Sequence, residues 1–529
     1  MVVRGKPGLR GICLLTILSM QACTVLGPDY VRPGTDIAPD WQSDSLGSAP
    51  KITSEQPGWT EQGQWWRHFN DPVLDALIAD VFANNHSMKV AALRILEARA
   101  QQAIAGSAMF PQVQQLSGSA LNTERHQSGL GSTNQWLYGA ELNIAWELDF
   151  WGRFKRGIEA ADANFLASLA QYDEVAVLLA AQTAQFYVAI RTLESRLDIA
   201  RSNAAIQQRS LEITQRLFKS GNESELDVQQ ARTQYLATLA SIPPLEASLR
   251  QTQNALATLL ARPPGPLPEL DAGRGVMPQA SLAMVADLPA DMLRRRPDIR
   301  AAEMQLVAQS SLIGIAEADL YPSLVLLGSL GVSASSISGA PTTTDLAIGP
   351  SFTWNIFDYG RIKNNVRVQD ARFQQLTEAY RDSILQAARE VDDAAIAYVK
   401  SLEQVALLNQ GQVAAQRSLE IANIQYREGM AGFERVLDAQ RSLFSQQERM
   451  VSNRGNVVSS LIAVYKAMGG AWEVARPAAL LDEATIDTMK ARSNWGDLLE
   501  MPAPASNPVT TSNPVPASTP VTTEPTSSQ

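Results

Sequence analysis

Residues 158–220 of this chain contain neither proline nor glycine, and that one stretch constrains the fold more than any other feature. Apolar or small residues recur at Phe154, Ile158, Ala161, Phe165, Leu169, Tyr172, Ala176 and Leu179, then at Phe186, Ile190, Leu193, Leu197, Ala200 and Ala204. Steps of four and three alternate, as in a coiled-coil seam, with one extra step of four that resembles a stutter. At ~1.5 Å per residue, some 65 residues make roughly 100 Å of helix. Gly221-Asn222 ends the run, and a returning helix is predicted over about 223–261. The Pro243-Pro244 pair inside it is expected to bend or break it. The same pattern recurs from Ile362 to about Glu428, with a turn at Gly429 and a return over about 433–468. Two hairpins of this length cannot make a compact globule, so their seams require other long helices as partners.

The recurrence is a duplication of the whole unit. Arg209-Ser210-Leu211-Glu212-Ile213 returns as Arg417-Ser418-Leu419-Glu420-Ile421, an offset of 417 − 209 = 208. That offset also aligns Trp151-Gly152-Arg153 with Tyr359-Gly360-Arg361, Trp146 with Trp354, and Gly221 with Gly429. An offset of 211 aligns Phe110-Pro111 with Tyr321-Pro322. Each half opens with a predicted helix, over about 72–108 and 290–317, the second with Asp298 as a candidate N-cap. A strand-like stretch follows each, Gln112 to Ala120 and Ser323 to Ser335. Gly/Ser/Thr-rich loops come next, near 127–134 and 335–345, and then second strands, Tyr138 to Leu148 and Leu346 to Phe357. Leu142, Ile144, Trp146 and Leu148 alternate with Asn143, Ala145 and Glu147, the period of a sheet with two unlike faces. Strands of about 9–11 residues suit a tilted membrane β-strand. Four strands cannot close a barrel, and lipid tolerates no open strand edge. The chain therefore needs copies of itself: three would supply twelve strands and two would supply eight, and the strand count leaves the choice open.

Composition narrows the function by exclusion. The only cysteines, Cys13 and Cys23, make no disulfide framework. His68, His86 and His126 are scattered and hold no zinc-type spacing. The formal net charge is −10, which speaks against a nucleic-acid partner. No nucleophile elbow, phosphate loop, metal cluster or dinucleotide fingerprint is present, so no enzyme and no cofactor is expected. Beyond the leader, no segment holds about 20 consecutive apolar residues, so no transmembrane helix is expected.

Residues 1–22 read as an export signal: Arg4, Lys6 and Arg10 precede the short apolar run Ile12 to Leu18. Met20-Gln21-Ala22-Cys23 then resembles a bacterial lipobox, with Gln21 where a small residue is usual. The resemblance implies a diacylglycerol and an N-acyl (palmitate) chain on Cys23, whereas simple cleavage near Ala22 is the alternative. Thr24 follows directly, so the inner-membrane retention signal Asp is missing and the outer membrane is implied. Residues 499–529, rich in Pro, Ser and Thr, read as a disordered tail.

Several stretches together resemble the outer membrane factor (TolC-like) family, in the lipoprotein branch that serves resistance-nodulation-division pumps. They are Cys23 with Gly27-Pro28-Asp29-Tyr30, Leu288 to Glu303 (LPADMLRRRPDIRAAE), Tyr321-Pro322-Ser323, and Gly349 to Arg361 (GPSFTWNIFDYGR). Ile242 to Gly265 and Val436 to Leu443 (VLDAQRSL) extend the match over about residues 23–475, with Ala261 where the family usually has Gly. The resemblance implies an α+β membrane protein: a homotrimer with a 12-stranded transmembrane β-barrel, four strands per chain, continued by a long α-helical coiled-coil tunnel in the periplasm. It implies a passive exit duct for small molecules in a tripartite efflux pump, with a periplasmic membrane-fusion adaptor, an inner-membrane resistance-nodulation-division pump and outer-membrane lipid as partners. The corresponding division is a signal peptide (1–22), a lipid-anchored extended segment (23–71), a first repeat (72–265), a linker (266–289), a second repeat (290–470), an equatorial segment (471–498) and the tail (499–529).

In the family the tunnel closes at its periplasmic end, and the match places that gate on the second hairpin. Tyr426 and Arg427 fall on latch positions, Asp438 on an aperture ring, and Glu434 one turn before it. Asp227 and Gln229 of the first hairpin are candidate partners. A threefold Asp ring favours cations, and Arg427 or a bound ion is the candidate that offsets its repulsion. The bland alternative is a solvated coiled-coil tip. Arg294-Arg295-Arg296 is expected to be solvated or to position helices rather than touch cargo. Trp136, Tyr138, Trp146, Phe150, Trp354 and Phe357 suit an interfacial belt, while Trp151 and Tyr359 are expected to pack at the barrel–tunnel junction. Two other readings compete: the exit duct of a type I protein-secretion system, and a coiled-coil surface protein without transport. The returning hairpins oppose the second.

Overall fold

A computed structural model describes residues 25–34, 62–127, 129, 131–278, 290–339, 341–470 and 480–499. The signal sequence, Cys23 and the tail beyond 499 lie outside the described residues. The chain divides into two units, Met1–Arg476 and Pro477–Gln529. The second contains the helix Glu483–Arg492, whose N-cap Asp482 accepts from Thr485 N.

In the first unit, α1 (Pro72–Asn84) and α2 (His86–Ser107) replace the single helix expected over 72–108. Asn85 causes the break. Its backbone is extended, and its side-chain oxygen accepts from Ser87 N at 2.7 Å and Met88 N at 3.4 Å while its amide donates to Leu259 O at 2.7 Å. Strands β1 (Val113–Gln127) and β2 (Gly131–Leu148) follow, then helix α3 (Arg153–Lys219) and the returning α4 (Glu225–Leu259). The second repeat contributes α5 (Pro297–Ala318), β3 (Ser323–Ala334), β4 (Thr342–Thr353), α6 (Arg361–Arg427) and α7 (Phe433–Ala467). Asp298 is not the cap of α5. It lies inside the first turn, where its carboxylate binds Arg296 Nη2 at 2.7 Å, because Pro297 occupies the first helical position and needs no donor satisfied.

The long helices start and stop by matched devices. Gly152 and Gly360 precede α3 and α6 in the left-handed region, at φ +74° and +85°. Asp149 accepts from Phe154 N and Lys155 N, and Asp358 from Gly360 N and Ile362 N, so a carboxylate sits at each helix N-terminus. At the far ends Asn222 N bonds Leu217 O and Met430 N bonds Gln425 O, the same C-terminal closure in both repeats. Each long helix has 67 residues, or roughly 100 Å. Pro243-Pro244 does not break α4, which runs unbroken from Glu225 to Leu259. Ile242, Leu245 and Leu249 flank the prolines and pack on Leu193, Leu197 and Ala200 of α3, so tertiary contacts on both sides hold the backbone helical.

One stretch of α3 is apolar enough to cross a membrane by length and composition, yet 61% of it is buried inside the protein. Its alanines (Ala163, Ala167, Ala170, Ala176, Ala180, Ala184) let α2, α5 and α4 approach closely. In α3, 28 of 67 residues are buried; in α6 only 13 of 67 are, with Leu385, Leu407 and Val413 more than 60% exposed. Thus α6 carries exposed apolar side chains that no other described residue of the chain covers.

The sheet is antiparallel, in the order β1-β2-β3-β4. Its strands have 15, 18, 12 and 12 residues, so the first hairpin runs well past its predicted strand ends and absorbs most of the expected 127–134 loop. The register Trp146↔Leu326↔Pro350 and Leu148↔Leu324↔Phe352 puts Ile144, Trp146, Leu148, Leu324, Leu326, Ile348 and Phe352 on one face. The other face carries Ser117, Glu141, Asn143, Glu147, Ser329, Asp345 and Ser351. One face suits lipid and the other water. The outer edges of β1 and β4 have no strand partner among the described residues.

Candidate functional site at the hairpin tips

The turns at Gly221 and Gly429 lie side by side because an apolar cluster joins the two hairpins: Leu211 and Val228 of the first meet Leu419, Phe433, Val436 and Leu437 of the second. Tyr426 packs on this cluster, with its ring 5.4 Å from that of Phe433. Its hydroxyl donates to Glu223 Oε1, in the turn of the first hairpin. Burial, then the hydrogen bond and the negative charges of Glu223 and Asp227, push the Tyr426 hydroxyl well above the ordinary tyrosine range. It remains a neutral donor in neutral and mildly alkaline solution. Asp227 sits in the first turn of α4. Ser224 Oγ donates to its carboxylate and accepts its backbone N–H at 3.2 Å, a capping arrangement that also keeps the charge near Tyr426.

Asp438 lies exposed on α7 and pairs with Arg441 at 3.2 Å; Arg441 in turn donates to Gln234 Oε1 of α4 at 2.7 Å. The cation beside Asp438 within this chain is therefore Arg441, not Arg427. Arg427 Nε donates to Asn423 O of its own helix at 3.3 Å. Three residues along a helix share a face, whereas Arg427 lies eleven residues before Asp438 and across a turn. Glu434 is exposed in the first turn of α7, where a helix N-terminus favours an acid, and Gln229 is exposed on α4.

Sequence reasoning missed Glu223, and its link to Tyr426 spans 203 residues with no local signal. Two buried arginines, Arg156 and Arg191, were also missed as structural centres. Arg156 donates to Leu26 O, Gly27 O and Asp29 Oδ1 at 2.9–3.0 Å, seating residues 25–34 against the start of α3. Gly27 and Gly314 touch there: a Cβ on Gly27 would lie 2.3 Å from Gly314 Cα. Arg191, fully buried, binds Glu194, Leu270 O and Ala272 O and so pins the segment between the repeats. Arg296 binds Asp298, Glu390 and Ala467 O, a positioning role as expected of the arginine run. Trp146 Nε1 donates to Met109 O at 3.3 Å, and its counterpart Trp354 donates to Leu320 O at 3.0 Å. Trp151 stacks on Tyr321 at 4.7 Å, but Tyr359 is fully exposed at φ +54°, so the expected packing of Tyr359 fails within one chain. It lies in the turn between β4 and α6, and β4 is an outer strand of the sheet with no strand beyond it among the described residues.

Comparison with known proteins agrees with this geometry. The family model described as "Outer membrane efflux protein" matches residues 77–262 and 288–470. The pyoverdine export outer membrane protein OpmQ of Pseudomonas putida is 30% identical over 488 residues, covering 88% of this chain and 99% of OpmQ. The probable outer membrane lipoprotein SilC of Salmonella typhimurium is 30% identical over 475 residues, covering 88% of this chain and 99% of SilC. The solved outer-membrane channel OprN superposes with a TM-score of 0.78 at 32% identity, over 85% of this chain and 99% of OprN. The channel CusC superposes with a TM-score of 0.71 at 27% identity, over 84% of this chain and 99% of CusC. Such proteins work as trimers, in tripartite systems with an adaptor and an inner-membrane pump. The chain belongs to the outer membrane efflux protein family: it is an outer-membrane efflux channel protein, and its four strands and two helical hairpins form one third of a trimeric barrel and tunnel.

Proposed function

We propose that the trimer is a passive exit duct for small molecules and ions, closed at rest by its second hairpins and opened by a periplasmic adaptor coupled to a resistance-nodulation-division pump. The observation that carries this reading is the Tyr426–Glu223 hydrogen bond, which ties the tip of one hairpin to the turn of the other. Swinging α6 and α7 away from α3 and α4 breaks that bond and parts the cluster around Phe433. An adaptor that binds the parted form more tightly than the closed form shifts the equilibrium between them. Asp438, with Glu434 near the tip, supplies the aperture charge, while Asp227 holds the first-hairpin side of the latch; Arg427 is exposed on the same tip and available to a neighbouring copy or the adaptor. The relatives named for export of pyoverdine, toluene and cations support efflux over protein secretion.

The chain is read as non-catalytic and cofactor-free, with residues 1–22 a signal peptide and Cys23 carrying the diacylglycerol and palmitate anchor, as the lipoprotein name of SilC supports. The two repeats, 72–265 and 290–470, are the functional modules, with 266–289 between them and 471–498 following. The test is the reversal potential of the trimer in a salt gradient across a planar bilayer. Asp438→Asn is expected to weaken cation preference several-fold with conductance nearly unchanged. Unaltered selectivity would remove Asp438 from the aperture.

A further inference from the structure

The contact between the two hairpins changes character along its length. Near the middle of α7, Gly455 presses on Thr192 of α3. A Cβ at Gly455 would lie 2.4 Å from Thr192 Oγ1, 3.2 Å from its Cγ2 and 3.4 Å from its Cβ, so the threonine would have to shift and give up the 2.8 Å hydrogen bond of its hydroxyl to Val188 O. The helices meet here with no side chain between them on the α7 side. Further toward the tips, polar pairs dominate. Arg196 directs Nε and Nη2 to one Glu448 oxygen at 2.9 and 2.8 Å. Asn203 donates to Gln447 Oε1 at 2.9 Å, and Gln440 donates to Ser210 Oγ at 3.0 Å. Gln207 lies between Asn203 and Ser210 on the same face of α3, one helical turn from each. It is 2% exposed, and neither end of its amide has a hydrogen-bond partner. Glu448 Oε1 and Gln440 Oε1 are also buried without partners. Phe444, partly buried against Leu197 and Ala200, is an apolar contact in this stretch, and the buried Leu443 beside it belongs to the apolar cluster that continues to the tips.

Such a seam is poor at holding two helices together and good at releasing them. Apolar packing loses contact area with every ångström of separation, whereas polar pairs exchange each other for water at small net cost. Buried amide and carboxylate atoms that are unpaired in the closed form gain hydration as the helices part. A fixed close contact above and a releasable surface below describe a lever.

We propose that the Thr192–Gly455 contact is the pivot of the second hairpin and that the polar seam from Arg196 to Ser210 is the surface that parts when the duct opens. This rests on the gate reading above. Gln207 and Gly455 are then positioning residues for gating, remote from the aperture.

The test uses the full trimer in planar bilayers, carrying Tyr426→Phe to release the latch. In that background Ser210→Cys and Gln440→Cys are joined by a short, reducible bifunctional thiol reagent. No other cysteine follows Cys23 in the chain, so the reaction is confined to the seam. The expected result is a low, wild-type-like conductance while bridged and a several-fold rise on reduction. Equal, raised conductance in both states overturns the seam proposal and leaves the latch intact as an idea. Conductance that stays low even after reduction sinks the gate reading, and the lever with it. Gln207→Leu in the Tyr426→Phe background is the second variant. It is expected to lower open-state occupancy several-fold while raising thermal stability; a stabilised protein with unchanged gating would reduce Gln207 to a packing residue and contradict the proposal.

Discussion

Tyr426 shows how much one side chain contributes at the tip. Its ring belongs to the apolar cluster, and its hydroxyl reaches a carboxylate of the other hairpin. Because the site is only partly buried, removing the hydroxyl costs about 1 kcal/mol rather than the value of a buried charged pair. The pH dependence has a definite sign. Its folded pKa is raised, so its contribution is fully present below the unfolded value of about 10 and is lost only as pH climbs through the raised one. The stability difference between wild type and Tyr426→Phe is therefore expected to stay constant from neutrality to about pH 10, as read from thermal unfolding at each pH. A difference that fades well below pH 10 would mean that the hydroxyl is not held in this environment. Tyr426 and Asp438 were legible as candidates through family resemblance, but their partners were not equally so. Arg441 stands three residues beyond Asp438 on one helix and is visible to a spacing argument. Glu223 is brought to Tyr426 only by the packing of two separate hairpins, which no local pattern encodes.

Among elements, the long helices were the most legible, because a coiled-coil seam repeats its signal over many turns and glycine marks each end. Gly221 and Gly429 adopt φ +77° and +69° at the ends of α3 and α6. Legibility failed where one residue overrides its surroundings. Asn85 splits a helical pattern by capping α2, and Pro243-Pro244 is overruled by Ile242 and Leu245 packed on either side. The strands were found but cut short: Ser, Thr and Gln in β1 and β2 read as loop, although they carry the hairpin beyond its apolar band. The docked segment 25–34 makes an element-scale prediction. Its contact with α5 needs two glycines, since a Cβ on Gly314 would lie 2.6 Å from Leu26 O. Gly314→Ala is expected to unseat the segment and to hasten protease cleavage within residues 25–34, with the helical hairpins unaffected. Cleavage at the wild-type rate would show that the segment accommodates the methyl group.

At the level of the whole molecule, three independent features point to assembly. Among the described residues the sheet has two open edges and an apolar face, α6 has 13 of 67 residues buried, and the sheet has four strands. Duplication explains the economy of the design. The same start, stop and tryptophan contacts serve both repeats, while the residues of the seam and tip differ between the hairpins. The central claim is that the assembled trimer is a continuous duct held shut where the second hairpin meets the first. Single-channel conductance of the purified trimer, wild type against Tyr426→Phe, tests this most directly. A duct held shut by the latch gives a small conductance in the wild type and a several-fold larger one in the variant, with the trimer intact in both. Equal conductance in the two, from intact and membrane-inserted trimers, would contradict it.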